Sequence, residues 1–91
     1  MNKTIRSRVG DPAMYEQLAE ECVELAHACL KLARIRRGEN PTPAKENEIK
    51  AAVDEELTDV ILCASELDLS VNNEIMADKR IRWNERLEEM R

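Results

Sequence analysis

The sequence predicts an all-α fold: an antiparallel helical hairpin followed by a third helix. Three observations predict it. Apolar residues recur at helical spacing through two long stretches. Each stretch opens on a polar residue followed by proline, "DP" at 11–12 and "TP" at 42–43, the pattern of an N-cap and a first helical position. One strong breaker segment, "GENPTP" at 38–43, separates the two, and no stretch alternates as a half-buried strand would.

Taken in order, residues 1–10 show no periodicity and end in Gly10, which reads as a flexible N-terminal arm. Residues 11–91 read as a single helical domain. The first helix is capped by Asp11, carries the stripe Leu18, Cys22, Leu25, Cys29 and Leu32, and stops at Gly38 after Arg37. The turn falls at Gly38 to Pro41. Thr42 opens the second helix, whose stripe is Ile49, Val53, Leu57, Val60, Ala64 and Leu67. Ser70 is placed to cap a third helix from Val71 onward, with Ile75, Ile81 and Leu87 as packing residues.

Ninety-one residues suffice for one domain with a thin core. Phe is absent and Trp83 and Tyr15 are the only aromatics, so Leu, Ile, Val, Ala, Met and Cys must fill that core. On the first helix the apolar arc runs from Leu32 through Cys22, Ala26 and Ala19 to Val23, about 180° wide, where one neighbour needs about 100°. The helix is therefore expected to face two neighbours, and the chain to form a homo-oligomer, a dimer or tetramer. The net charge of −5, with 36% charged residues, argues against binding to polymeric nucleic acid. No apolar run approaches membrane-spanning length, and "MNKTIRSRVG" lacks the apolar core of a signal peptide, so a cytoplasmic protein is expected. Cys22, Cys29 and Cys63 read as small buried thiols, and a structural zinc site is disfavoured because no Cys-x-x-Cys pair is present.

Two acidic clusters interrupt this apolar pattern, "EECVE" at 20–24 and "EELTD" at 55–59. At about 100° per residue, Glu21 falls inside the first apolar stripe and Glu24 on its border. Glu56 and Asp59 occupy the same two places on the second helix. A hairpin centred on residue 40 sets Glu24 opposite Glu56 and Glu21 opposite Asp59. Four carboxylates converge on one level, and neither acidic turn has a basic residue on its inward face. Partly buried like charges raise one another's pKa and need a counterion. An all-oxygen donor set suits Mg²⁺, with Mn²⁺ as an alternative. The competing reading, solvated surface glutamates, fits Glu20 and Glu55 better than the inward four.

These residues resemble the MazG-like branch of the all-α nucleoside triphosphate pyrophosphatases, which carries Glu-Glu-x-x-Glu, a spacer and Glu-Glu-x-x-Asp on two antiparallel helices. The similarity covers residues 14 to 88 and continues through "VILCASELDLSVNNEI". It implies Mg²⁺-dependent hydrolysis of a nucleoside triphosphate to monophosphate and pyrophosphate, with Glu21, Glu24, Glu56 and Asp59 as metal ligands. Glu20 or Glu55 would act as general base or outer partner. It also implies a four-helix core completed across subunits. The family's Lys, Asn and further basic residue on the next helix contact phosphates. Here "DKRIRWNER" offers Arg80 and Asn84 at the matching spacing, with Lys79 adjacent and Arg86 as the last basic residue. Arg stands in the Lys place, and these side chains with Arg82 also fit a solvated basic face. Trp83 reads as a packing residue.

Two other readings stay open. Glu24-Leu-Ala-His27 is a Glu-x-x-His motif, and a dimer would add Glu56 from each copy, the ligand set of a di-iron bundle. Against it, His27 lies well off the apolar stripe. The second is a non-catalytic helical module that binds a nucleotide or partner without turnover.

Overall fold

The computed structural model describes residues 4–39 and 45–90. Among them lie four helices and no strand: α1 (Ile5–Val9), α2 (Asp11–Arg37), α3 (Glu46–Glu66) and α4 (Asn73–Glu89). The fold is all-α, as expected. The main packing is α2 along α3, with a smaller contact of α1 on α2. Met14, near the start of α2, packs with Cys63 and Leu67 at the end of α3. Arg36, near the end of α2, donates from Nε to Glu46 Oε1 at the start of α3 (3.2 Å). The two helices therefore run antiparallel. The Gly38 end of the turn is observed, in the left-handed conformation at φ 69°, which favours glycine. The expected Thr42-Pro43 start lies outside the described residues.

The seam between the two helices follows the alternating four- and three-residue spacing of coiled-coil packing. On α2 it comprises Met14, Leu18, Glu21, Leu25, Ala28, Leu32 and Ile35; on α3, Ile49, Val53, Glu56, Val60, Cys63 and Leu67. All are buried or half-buried. This corrects the first stripe. Cys22 and Cys29 are exposed, one step around the helix from the seam, and only Cys63 of the three thiols is buried. Leu57 is likewise exposed in the single chain.

Other boundaries move for local reasons. The segment read as a flexible arm contains α1, too short to show a period. Thr4 Oγ1 accepts from the Ser7 N–H (3.0 Å) and caps it. Gly10 at φ 88° turns the chain into α2, so Asp11 is the first helical residue rather than the cap. Its carboxylate instead pairs with Arg6 Nε at 2.7 Å. Helix α4 is capped by Asn72, whose Oδ1 accepts from the Ile75 N–H (3.0 Å), not by Ser70. The expected packing residues Ile75, Ile81 and Leu87 are all exposed, and no residue of α4 is buried.

An extended, open molecule results. The Cα radius of gyration is 17.3 Å, where a compact chain of this length has about 12 Å. The chain exposes 7701 Å², about 2,300 Å² more than a compact monomer of its 10.5 kDa mass. Met14→Ala should remove a side chain that closes one end of the seam. Urea unfolding should show a loss of about 2–5 kcal/mol. A loss below about 1 kcal/mol would mean that this end is not packed as described.

Candidate metal centre

The seam places Glu21 and Glu56 between two apolar ends of the hairpin. Met14, Cys63 and Leu67 close one end, and Leu32 and Ile49 are the buried residues toward the other. Glu24, one turn beyond Glu21, is exposed but reaches the same level. One carboxylate oxygen each from Glu21, Glu24 and Glu56 lie within 4.8 Å of one another. The expected opposition of Glu24 and Glu56 is therefore observed, and Glu24 helps to raise the Glu56 pKa.

Asp59 is the departure from the expected quartet. Its carboxylate is not one of the converging three, although it is half-buried and close enough to act electrostatically on Glu56 and Cys63. Gln17 was not anticipated. Its Nε2 donates to Glu21 Oε1 (2.8 Å), which fixes that carboxylate from the preceding turn. The four-residue spacing of Gln17 and Glu21 was the available signal.

The other oxygens are not satisfied. Glu21 Oε2 and Glu56 Oε2 are shielded from solvent and have no hydrogen-bond partner. Burial raises the Glu56 pKa above the ordinary carboxylate value, and Glu24, Asp59 and Glu21 raise it further. Burial and the charges of Glu21 and Asp59 also push the Cys63 thiol up. Cys63 therefore stays a neutral packing group rather than a nucleophile.

This arrangement fits a hard divalent cation. Oxygens sharing one Mg²⁺ at about 2.1 Å lie about 3–4 Å apart, the three carboxylate oxygens here lie within 4.8 Å of one another, and three carboxylates leave positions for water. The two partnerless oxygens are the atoms such an ion would satisfy. Glu20 and Glu55 are exposed at the rim on the adjoining positions. His27 is exposed too and lies outside the carboxylate group, lining a separate shallow hollow with Lys31 and Arg34. That removes the di-iron ligand pattern from this chain's cluster. Lys79, Arg80, Asn84 and Arg86 lie on the exposed α4 and line its own open groove or flank it. Within one chain they are not gathered with the carboxylates.

The fold and the site define an all-α hairpin protein with a mid-seam carboxylate cluster. Comparison of the chain with protein-family models, curated proteins and solved structures gives no match.

Glu56 sets a pH dependence. Its folded pKa is raised, so protonation favours the folded state. That contribution is fully present below the unfolded carboxylate pKa and is lost as pH rises through the folded pKa. Asp11 works oppositely: Arg6 holds it below the ordinary value, so its contribution is lost as pH falls through the folded pKa. With chelator present, the melting temperature should fall as pH rises from weakly acidic toward neutral. In Glu56→Gln the slope in that window should flatten. An unchanged slope would show that Glu56 is not the group responsible.

Proposed function

We propose that the protein is a Mg²⁺-dependent nucleoside triphosphate pyrophosphohydrolase of the MazG-like kind, releasing nucleoside monophosphate and pyrophosphate. The observation that carries this reading is the convergence of Glu21, Glu24 and Glu56 at mid-seam with two solvent-shielded, partnerless oxygens. Carboxylates in a hairpin seam with no cation among them are a poor structural choice and a good metal cradle.

Glu21, Glu24 and Glu56 would hold the ion, with Asp59 joining from the adjoining turn. Bound Mg²⁺ supplies charge neutralisation at phosphate oxygens and lowers the pKa of a coordinated water. The remaining work belongs to the chain. Gln17 orients Glu21. Glu20 or Glu55, both exposed at the rim, would accept a proton from an attacking water. Lys79, Arg80, Asn84 and Arg86 are the candidate phosphate contacts once α4 is brought to the site. Mn²⁺ offers the same oxygen preference.

The chain acts as a homo-oligomer in this reading, a dimer or tetramer, in the cytoplasm. The support is the excess exposed surface and the largely apolar flank of the hairpin, where Cys22 and Ala26 of α2 and Leu57 and Ile61 of α3 are exposed. Two such flanks packed together complete a four-helix core across subunits. No described helix is long and apolar enough to cross a membrane. The exposed position of α4 favours one rival, a nucleotide- or partner-binding module without turnover.

Three measurements test the proposal. Light scattering at micromolar concentration should give a dimer or tetramer mass, and a monomer would overturn the oligomeric part. A pyrophosphate-release assay over a nucleoside triphosphate panel should show Mg²⁺-dependent turnover; saturable binding without release would favour the module. Glu56→Gln should abolish turnover while metal-free stability holds or rises, since one source of repulsion is gone. Mg²⁺ at one hundred times its Kd should stabilise the wild type by about 2.7 kcal/mol. Wild-type turnover in Glu56→Gln would remove the metal-site reading.

A further inference from the structure

The cations of the hairpin are gathered toward its turn. Residues 27–39 and 45–50 carry six Lys and Arg against three Glu, whereas residues 11–26 and 51–66 carry ten Asp and Glu and no Lys or Arg. Three cations of α2 and α3 are matched with acids. Arg36 pairs with Glu46 (3.2 Å), Arg37 lies 3.9 Å from Glu39, and Lys50 pairs with Asp54 (2.6 Å). Lys31 and Arg34 are the other two. Neither they nor His27 has an ion-pair partner among the described residues. The sequence explains why. His27, Lys31 and Arg34 stand at i, i+4 and i+7, within an arc of about 60° on α2. The positions three and four residues from Lys31 and Arg34 hold one another, His27, Arg37 and uncharged residues, but no carboxylate. Like charges at that spacing repel, so the helix itself gains nothing from them.

The same three side chains line a hollow of about 290 Å³. Its floor includes Ala28 of α2 and Ile49 and Ala52 of α3. Ile49 is buried and the two alanines are half-buried, so the floor is the apolar seam itself. Neither Glu24, which belongs to the carboxylate cluster, nor Glu48, beside Ile49, lines it. The volume lies at the lower limit of ligand pockets, about 300–1,000 Å³, and suits a small molecule rather than a polymer. Charge and lining then select the occupant. A Lys and an Arg with an imidazole N–H suit an oxyanion, since charge-assisted hydrogen bonds are the strong ones. A phosphate monoester offers about two negative charges at neutral pH, where a carboxylate offers one. The apolar floor adds nothing for a bare anion, but it favours an ester group laid over it.

We propose that this hollow binds small phosphate monoesters, with Lys31, Arg34 and His27 donating to the phosphate oxygens and the organic group resting over Ile49 and Ala52. The site is separate from the carboxylate cluster and is measured without turnover, so it stands or falls independently of the hydrolase assignment.

The test uses the whole chain in chelator, so that no cation can recruit phosphate to Glu21, Glu24 and Glu56. His27 is the only histidine, and its ring protons give one reporter by NMR. Butyl phosphate and inorganic phosphate are titrated at constant pH, with ionic strength held by sodium chloride. The His27 signals should shift saturably, and butyl phosphate should bind roughly tenfold tighter, the return on burying about two methylene groups. Lys31→Gln and Arg34→Gln should each weaken butyl phosphate about tenfold. Their melting temperatures should hold or rise, since a like-charge repulsion is removed. Lys45→Gln makes the same change in net charge outside the hollow and should leave the affinity as it is. Shifts that never saturate, or that chloride reproduces, would reveal a solvated basic face and overturn the proposal. Equal affinity for the two anions would overturn it as well, because the floor would then play no part. So would equal weakening by Lys45→Gln, which would trace binding to net charge. Saturation by vesicles of anionic phospholipid but not by butyl phosphate would also overturn it, since the phosphate would then belong to a lipid headgroup.

Discussion

Two glutamates occupy positions where a helical seam calls for leucine, and the rest of the molecule is arranged around that fact. Glu21 and Glu56 stand in the alternating spacing that otherwise reads Met, Leu, Ala, Ile, Val and Cys. A leucine at each place would give one continuous apolar seam. The chain instead has two apolar ends, Met14 with Cys63 and Leu67, and Leu32 with Ile49, separated by a charged middle. The ends hold the helices in register on both sides of the carboxylates. They determine how closely Glu21, Glu24 and Glu56 approach, because helices packed at two points have little freedom between them.

Giving up the middle of the seam leaves little core for a single chain. Five residues are buried among those described, and none belongs to α4. The surface that remains is sorted rather than random. One flank of the hairpin is apolar and nearly free of charge, the other is acidic, and α4 mixes its four cations with apolar side chains on one side. Sorted surfaces of this kind direct assembly by complementarity, since like charges brought together would cost more than the apolar contact returns.

The helices, the hairpin and the meeting of Glu24 with Glu56 were legible because each rests on local chemistry: apolar spacing, a glycine stop, and a turn whose position sets the register. The finer seam was less so. A stripe drawn through Cys22 and Cys29 and the true seam through Glu21 and Ala28 are neighbours on the wheel. A reader who expects apolar residues inside will choose the cysteines. Glu21 and Glu56 were correctly placed inside the stripes, but the first stripe was centred about one position too far toward the cysteines. Helix α1 was hidden by its length. The cap of α4 was ambiguous in "SVNN", where Ser70 and Asn72 are both competent; the burial of Leu67 and the left-handed Asp68 decide for Asn72. The place of α4 was not legible, since it packs substantially on no other described element and its apolar residues stay exposed. Asp59, on the stripe border like Glu24 but with a side chain one methylene shorter, does not join the triad.

The carboxylate cluster can be neutralised in two ways, and they exclude each other. A proton on Glu56 removes one of the converging charges, and burial beside Glu24, Asp59 and Glu21 makes that proton easier to keep. A divalent cation needs the same oxygens deprotonated. Proton and metal therefore compete for one site, and the burial that raises the Glu56 pKa weakens metal binding as pH falls. The same burial leaves Glu21 Oε2 and Glu56 Oε2 without water, so the ion gains ligands that no solvent shell opposes. A fully exposed cluster would bind the cation no more easily, because water would screen the carboxylates that attract it. A fully buried one would stay protonated and refuse it. The half-buried seam lies between these limits, and two packed apolar ends with an open acidic flank are what keep it there.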